Sequence, residues 1–190
     1  MRDPATKPQS AAMRRTSGRQ WVLKPQDLAV ALKLVSLQGA KFAYAALGQS
    51  MHLSPFEAHA AIQRLQAAKL VVKRANTVRP IVPALRSFVL HGAPYAYPPV
   101  RGEITIGFET AHSAPPLRGR VQASAEAVWV WPHAQGPTRG EALLPLYENL
   151  PLAAVADPKL YEMLALFDAL RAGQARERKL AAKMLEERLA

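Results

Sequence analysis

The stretch LSPFEAHAAIQRL, residues 53–65, decides how the N-terminal half of this chain folds. Ser54 stands before Pro55, and Glu57 follows three residues after the serine. This is the pattern of a capping box with a proline in the first helical turn. Apolar residues then recur at the spacing of a buried helix face, at Ala58, Ile62 and Leu65. The pattern predicts a helix that begins at Ser54 and runs to about residue 68.

Two further helices are predicted before this stretch. The first, over residues 25–37, opens on a proline and carries an apolar stripe at Leu28, Leu32 and Val35. Gly39 interrupts the pattern. The second, over residues 41–51, carries its stripe at Ala43, Leu47 and Met51. The chain therefore begins with three consecutive amphipathic helices.

A short basic hairpin is predicted after the third helix. Residues 70–72 are Leu-Val-Val, which changes the apolar period from helix to strand. Asn76-Thr77 is a plausible turn, and residues 78–82 return as a second strand that Pro80 restricts to a sheet edge. Pro83 then opens a short helix that we expect to end at Gly92.

The charge of the chain is unevenly distributed. The formal net charge is +11, and residues 64–86 hold six basic residues with no acid, whereas residues 121–170 hold six acids against Arg139 and Lys159. Basic blocks early in a chain and an acidic block late favour a polyanion-binding face on a separate scaffold. The alternative is that the arginines and lysines are simply solvated.

Composition excludes several other classes of protein. The chain has 190 residues with 49% hydrophobic residues, enough for a core, and no cysteine for disulfides or thiolate zinc sites. No window is apolar enough for a membrane span or a signal peptide, so we expect a cytoplasmic protein. Residues 1–20 are polar and basic and are expected to be a flexible arm.

Helix, helix, sharp turn, helix and basic hairpin is the order of a winged helix-turn-helix. Residues 25–82 resemble the DNA-binding part of MarR-type bacterial transcriptional regulators: an apolar residue, a serine cap, a helix that ends in leucine, then a step into the wing. The resemblance implies that residues 21–92 form a DNA-binding domain. It also implies a mainly α fold with a small β wing. Two expected glycines are replaced, by His52 in the turn and by Lys69 before the wing.

The resemblance also implies which residues meet DNA. The third helix would lie in the major groove and present Ser54, Phe56, His59, Ala60, Gln63 and Arg64. Phosphates would be met by Lys41, Lys73, Arg74, Arg79 and, on the arm, Arg14, Arg15 and Arg19. Gln63 suits an adenine edge and Phe56 or Ala60 a thymine methyl, but arginine is absent where the common guanine contact would be made. Charge is therefore expected to supply most of the affinity.

The rest of the chain is expected to be scaffold. Prolines break up residues 93–150, which we predict to be irregular with short strands near residues 102–108 and 128–131. Residues 151–190 are predicted to be helical, starting at the cap Asp157-Pro158, and to form a homodimer seam.

No catalytic or metal-binding constellation stands out. The five histidines show no ligand spacing, and a G-x-S-x-G elbow is absent, so we expect neither an enzyme nor a metal or cofactor site. The favoured function is a dimeric DNA-binding repressor. The alternative is a protein-binding module of antitoxin type, with residues 93–170 against a partner protein.

Overall fold

The computed structural model describes residues 21–74, 77–120 and 128–190. Its elements are α1 Pro25–Ser36, α2 Tyr44–Ser50, α3 Pro55–Ala67, β1 Val71–Arg74, β2 Thr77–Pro80, α4 Val82–Ser87, α5 Ala93–Ala96, β3 Arg101–Glu109, β4 Trp129–Pro132, β5 Thr138–Leu143, α6 Leu150–Val155, α7 Pro158–Ala172 and α8 Ala175–Arg188. The fold is mixed α/β. The expectation of a mainly α fold with one small wing is wrong, because a second sheet occupies the middle of the chain.

The three predicted N-terminal helices and the hairpin are present. Helix α2 begins three residues later than predicted, at Tyr44. Strands β1 and β2 pair antiparallel, from Val71 opposite Pro80 to Arg74 opposite Thr77, and the turn at residues 75–76 lies outside the described residues. The helix predicted to end at Gly92 instead continues to Ala96 through a π-helical turn, Phe88–Gly92. Such a turn accommodates Pro94, whose nitrogen cannot donate to the preceding helix.

The two residues that stand where glycine was expected both take the left-handed backbone conformation. His52 has φ +52° and Lys69 has φ +57°. The turn between α2 and α3 does need a glycine, but at another position. A Cβ on Gly48 in α2 would approach the carbonyl oxygen of Leu53 to 2.7 Å, so only glycine lets the turn fold this closely onto the helix.

The cap of α3 forms as the sequence predicts. The Ser54 side chain accepts a hydrogen bond from the Glu57 amide at 3.2 Å, and the Glu57 carboxylate accepts one from the Ser54 amide at 2.9 Å. The backbone and side-chain hydrogen bonds from Ser54 hold the pKa of Glu57 below its usual value. The start of α3 is therefore fixed by local interactions alone.

Helix α1 is the centre of the molecule. Residues 27–34 are all buried, which an amphipathic surface helix does not show. The helix packs on α3, β2 and α7. One continuous core therefore runs through both halves of the chain, and the separate domains predicted for residues 21–92 and 151–190 share it.

Asp157 fastens the far end of α1 to the start of α7. Its carboxylate accepts hydrogen bonds from Lys33 Nζ at 2.8 Å and Ser36 Oγ at 2.6 Å, and it caps α7 through the Leu160 amide at 3.2 Å. Burial on its own would raise the pKa of Asp157. The hydrogen bonds from Lys33, Ser36 and Leu160 outweigh it and hold the pKa below the ordinary value.

The middle of the chain forms a three-stranded sheet. The strands predicted near residues 102–108 and 128–131 are present as β3 and β4, whereas β5 and the pairing of the three strands were not predicted. Strand β3 pairs antiparallel with β4 and with β5, while β4 and β5 pair in parallel, so the strands close on one another. A Cβ built on Gly136 would meet the backbone of Gly107 at 2.1 Å, so the β4–β5 loop crosses β3 where neither residue carries a side chain.

A buried carboxylate attaches this sheet to α7. Asp168 accepts hydrogen bonds from Thr110 Oγ1 at 2.7 Å, Trp131 Nε1 at 2.6 Å and Arg171 Nε at 2.8 Å. Arg171 continues to the carbonyl oxygens of Tyr97 and Leu144. The proline-rich segment is therefore ordered by one polar network centred on α7.

The apolar residues of α7 are used within their own chain and are not exposed for the predicted homodimer seam. Residues 163–169 of α7 are all buried within their own chain. Helix α8 packs on α7, and its solvent side is charged, with Arg176, Arg178, Lys179, Lys183, Glu186 and Glu187. The apolar residues of α7 are therefore part of the core of their own chain. Among the described residues, no helix is long and apolar enough to cross a membrane.

Replacing Lys69 by glycine is expected to stabilise the protein. Lys69→Gly removes the cost of the left-handed conformation, which exceeds the added entropy of the unfolded chain, for a net gain of about 0.5 kcal/mol. Lys183→Gly, a matched control on the exposed face of α8, should lose about 1 kcal/mol. Urea unfolding of both variants measures the difference. Equal losses would contradict the strain at Lys69.

Because of Asp157, the stability of the protein should depend on pH. A carboxyl whose folded-state pKa lies below its unfolded value stabilises the fold above the unfolded value of 3.8, and this is lost as the pH falls through the lower folded-state pKa. The advantage of the native protein over Asp157→Asn, which keeps an N-cap side chain, is therefore expected to be full at pH 7. It should shrink below pH 3.8.

Urea unfolding midpoints of the two proteins at pH 7 and pH 3 provide the comparison. Glu148→Gln, at an exposed carboxyl, is the control and should differ from the native protein equally at both values. A difference in unfolding midpoint between Asp157→Asn and the native protein that does not depend on pH would contradict the stabilising role of the Asp157 carboxylate.

Candidate nucleic-acid interface

The outer face of α3 presents the predicted base-reading residues. Phe56 is 78% exposed and Gln63 is exposed, while His59 and Ala60 are half-buried. Opposite them, Ala58, Ile62 and Leu65 are buried in the core. The predicted division of α3 into a buried and an outward face is confirmed.

Tyr44 joins this face to the hairpin. Its ring centroid lies 4.8 Å from the His59 ring in an edge-to-face arrangement, and Lys73 Nζ lies 6.0 Å from the same ring. Tyr44 is the first residue of α2. The start of α2, the middle of α3 and the end of β1 therefore meet around one aromatic side chain, which makes one surface of three separate elements.

The hairpin carries cations on both of its faces. Cross-strand partners lie on the same face of an antiparallel pair, and Lys73 is opposite Val78, whereas Arg74 is opposite Thr77 and Arg79 is opposite Val72. Val78 is buried against the core, so Lys73 lies on the inward side and the two arginines on the other. All three cations are exposed at their outer ends.

Negative charge is scarce around this surface. Between Asp27 and Glu103 the chain contains one acid, Glu57, and its carboxylate is occupied by the cap of α3. Two further lysines are exposed: Lys41 lies just before α2, and Lys69 lies just after α3. Lys69, which the predicted contacts did not include, lies too close to the C-terminus of α3 to face the base-reading side chains at the helix start.

Arg64 does not belong to the interface. Its guanidinium makes two hydrogen bonds to the fully buried carboxylate of Asp27, Nε to Oδ2 at 2.6 Å and Nη2 to Oδ1 at 2.7 Å. The hydrogen bond with Asp27 raises the pKa of Arg64. Asp27 also accepts the Lys24 amide at 2.8 Å at the start of α1. A bidentate pair of this kind holds α3 on α1. The Arg64 side chain is only 11% exposed, so it does not reach outward to a guanine or a phosphate.

Ser54 also has a structural role, because its hydroxyl donates to Glu57 at 2.8 Å. The predicted arm contacts Arg14, Arg15 and Arg19 lie outside the described residues. The remaining candidates on the described surface are Phe56, His59, Ala60, Gln63, Lys41, Lys73, Arg74 and Arg79.

Sequence reasoning missed two aromatic residues. Phe42 and Tyr44 line a cavity of about 220 Å³ together with Lys73 and Val78. The Phe42 and Tyr44 rings lie edge to face, with centroids 6.2 Å apart. The alternation Lys41-Phe42-Ala43-Tyr44 was the available signal, but a predicted helix start at residue 41 turned these side chains to the wrong faces.

Elsewhere in the described part of the chain, no cluster of three or more histidine or acidic residues could hold a metal ion. His112 is buried beside the Trp129 ring, with Nδ1 at 3.8 Å from the Glu177 carboxylate.

No protein-family model matches the chain, and no curated protein and no solved structure is similar to it. The functional conclusion therefore depends on the geometry and charge of this surface.

Removing Asp27 should destabilise the protein strongly. Asp27→Asn leaves the Arg64 guanidinium largely buried without its counter-charge, which costs about 3 kcal/mol. Arg79→Ala removes an exposed arginine from the neighbouring hairpin and should change stability by less than about 0.5 kcal/mol. Chemical unfolding of both variants measures these values, and a loss below about 1 kcal/mol for Asp27→Asn would contradict the structural role of the pair.

Proposed function

We propose that this protein binds duplex DNA, with α3 in the major groove and the β1–β2 hairpin along the adjacent phosphates, and acts as a transcriptional repressor. The observation that carries the proposal is the meeting of His59 and Lys73 at Tyr44. Through Tyr44, the outward face of α3, which would read the groove, and the basic hairpin form one surface.

Electrostatics supports a polyanion as the ligand. Lys41, Lys73, Arg74 and Arg79 are exposed, and the one acid of this part of the chain is turned into a helix cap. A hairpin with cations on both faces can lie between phosphates and contact them on both of its sides. Counterion release then supplies most of the affinity and makes it strongly dependent on salt.

Base readout comes from three side chains. Gln63 has the paired donor and acceptor for an adenine edge, His59 is a donor for guanine or phosphate, and Phe56 offers an apolar contact to a thymine methyl. The one arginine of α3, Arg64, is bound to Asp27, so α3 offers no arginine for a bidentate guanine contact. Sequence preference is therefore modest and favours A·T pairs.

A second candidate is a protein-binding module, and the exposed face of β3 favours it. Ile104 is 62% exposed and Ile106 is 50% exposed, and they stand opposite Glu141 and Arg139 on β5. Because both halves share one core, deleting residues 93–190 would unfold the protein and cannot separate the two functions. Ile104→Lys with Ile106→Lys tests the module, since it should abolish partner binding and leave DNA binding intact.

The DNA proposal predicts the dependence of affinity on salt. Each phosphate contact contributes about 0.9 to the slope of log K against log salt, so six contacts give about −5. Lys73→Gln with Arg74→Gln should reduce the magnitude of the slope by about 2, whereas Lys179→Gln with Lys183→Gln on α8 should not change it. Fluorescence anisotropy with a labelled duplex over a salt series measures both. No binding to any duplex at low salt would refute the function.

Selection from a random duplex pool tests the assigned reading face. The native protein should enrich a short A·T-containing site, and His59→Ala with Gln63→Ala should lose that preference while retaining most non-specific affinity. Gln49→Ala, at an exposed position on α2, is the control. An unchanged preference in the double variant would show that α3 does not read the bases.

A further inference from the structure

We propose that the cavity between α2 and the hairpin receives one unpaired base, so that the protein prefers DNA with a bulged nucleotide to a perfect duplex. This inference rests on the proposed DNA binding and concerns the same surface. The cavity has a volume of about 220 Å³ and is lined by Phe42, Tyr44, Lys73 and Val78.

The lining has the chemistry of a stacking site. Two aromatic rings and a valine form the walls, and one cation stands beside them. Base stacking on aromatic side chains tolerates any base, because every base has a π face. Lys73 Nζ lies over the Tyr44 ring, 6.0 Å from its centroid, and so covers one face of that ring. From this position it can pair with the phosphate that flanks a base stacked on Phe42.

The rings are not stacked on each other. Phe42 and Tyr44 are inclined at 82°, and Tyr44 and His59 at 86°, so each pair meets edge to face. The described residues therefore supply no aromatic partner that lies parallel to Phe42 or Tyr44. No acid lines the cavity to repel a phosphate.

The position of the cavity fits a nucleotide that leaves the helix stack beside the groove. His59 touches Tyr44 from α3, which is the proposed groove helix, and Lys73 touches it from β1, which is the proposed phosphate-binding hairpin. Extruding a paired base costs unpairing and unstacking, which a bulged base has already lost. One small stacking site therefore favours unpaired bases without opening a duplex.

Fluorescence anisotropy of the full chain with three otherwise identical duplexes tests the proposal. The first duplex is perfectly paired, and the second carries one bulged adenine. The third carries the same bulged nucleotide without its base. We expect the bulged adenine to bind about tenfold tighter than the perfect duplex. The abasic bulge should lose that gain, because it keeps the flexibility of the bulge and removes the stacked base.

Two further readouts locate the base. With 2-aminopurine as the bulged base, binding should quench its fluorescence, as stacking on an aromatic ring does. Phe42→Leu keeps an apolar side chain and should remove most of the preference for the bulge while perfect-duplex affinity is retained. Tyr95→Leu, at an 85% exposed tyrosine on α5, is the matched control and should keep the full preference.

The outcomes separate this inference from the proposed function. If no duplex binds at low salt, the DNA function itself fails. If the perfect duplex binds but the adenine bulge brings no gain, or the abasic bulge brings an equal gain, the base site is refuted. A bulged 2-aminopurine that is bound without quenching also refutes it.

Discussion

The buried pair of Asp27 and Arg64 sets the geometry on which the proposed interface depends. Asp27 is fully buried at the start of α1, and two hydrogen bonds to its carboxylate fix Arg64 of α3 in place. Separating a buried carboxylate from its counter-charge is costly, so this pair stabilises the observed packing of α3 on α1. At the other end of the same helix, Lys33 and Ser36 bind Asp157 and fix α7. Helix α1 thereby sets α3 relative to the C-terminal half.

That arrangement also determines what the surface can recognise. The arginine of α3 is used to hold the helix, so the exposed cations that the described residues offer to the proposed DNA ligand lie on the hairpin, before α2 and just after α3. Tyr44 connects the two parts, since His59 and Lys73 both contact its ring. The resulting surface is basic and aromatic, with little capacity for guanine readout. Affinity from phosphates and shape, with modest base preference, is the behaviour that such a surface supports.

Much of the N-terminal half was predictable because its signals are local. The box of Ser54 and Glu57, the left-handed His52 and Lys69 and the buried stripe of α3 all depend on residues within a few positions of each other. The second sheet was not, since β3 pairs with β5 more than thirty residues later and the strands close around Gly107 and Gly136. Proline content in residues 93–150 indicated irregular chain, but Asp168 and Arg171 of α7 order it through contacts distant in sequence.

The sequence by itself determined the caps of α3 and α7, the buried face of α3 and the excess of positive charge, because each follows from the identity and spacing of neighbouring residues. Only the tertiary structure decided that Arg64 faces Asp27, that α7 is core rather than a seam, and that Phe42, Tyr44, Lys73 and Val78 enclose one cavity. The reason is physical: which charge is neutralised and which ring is left open depends on elements brought together from distant parts of the chain, and no local pattern records that pairing.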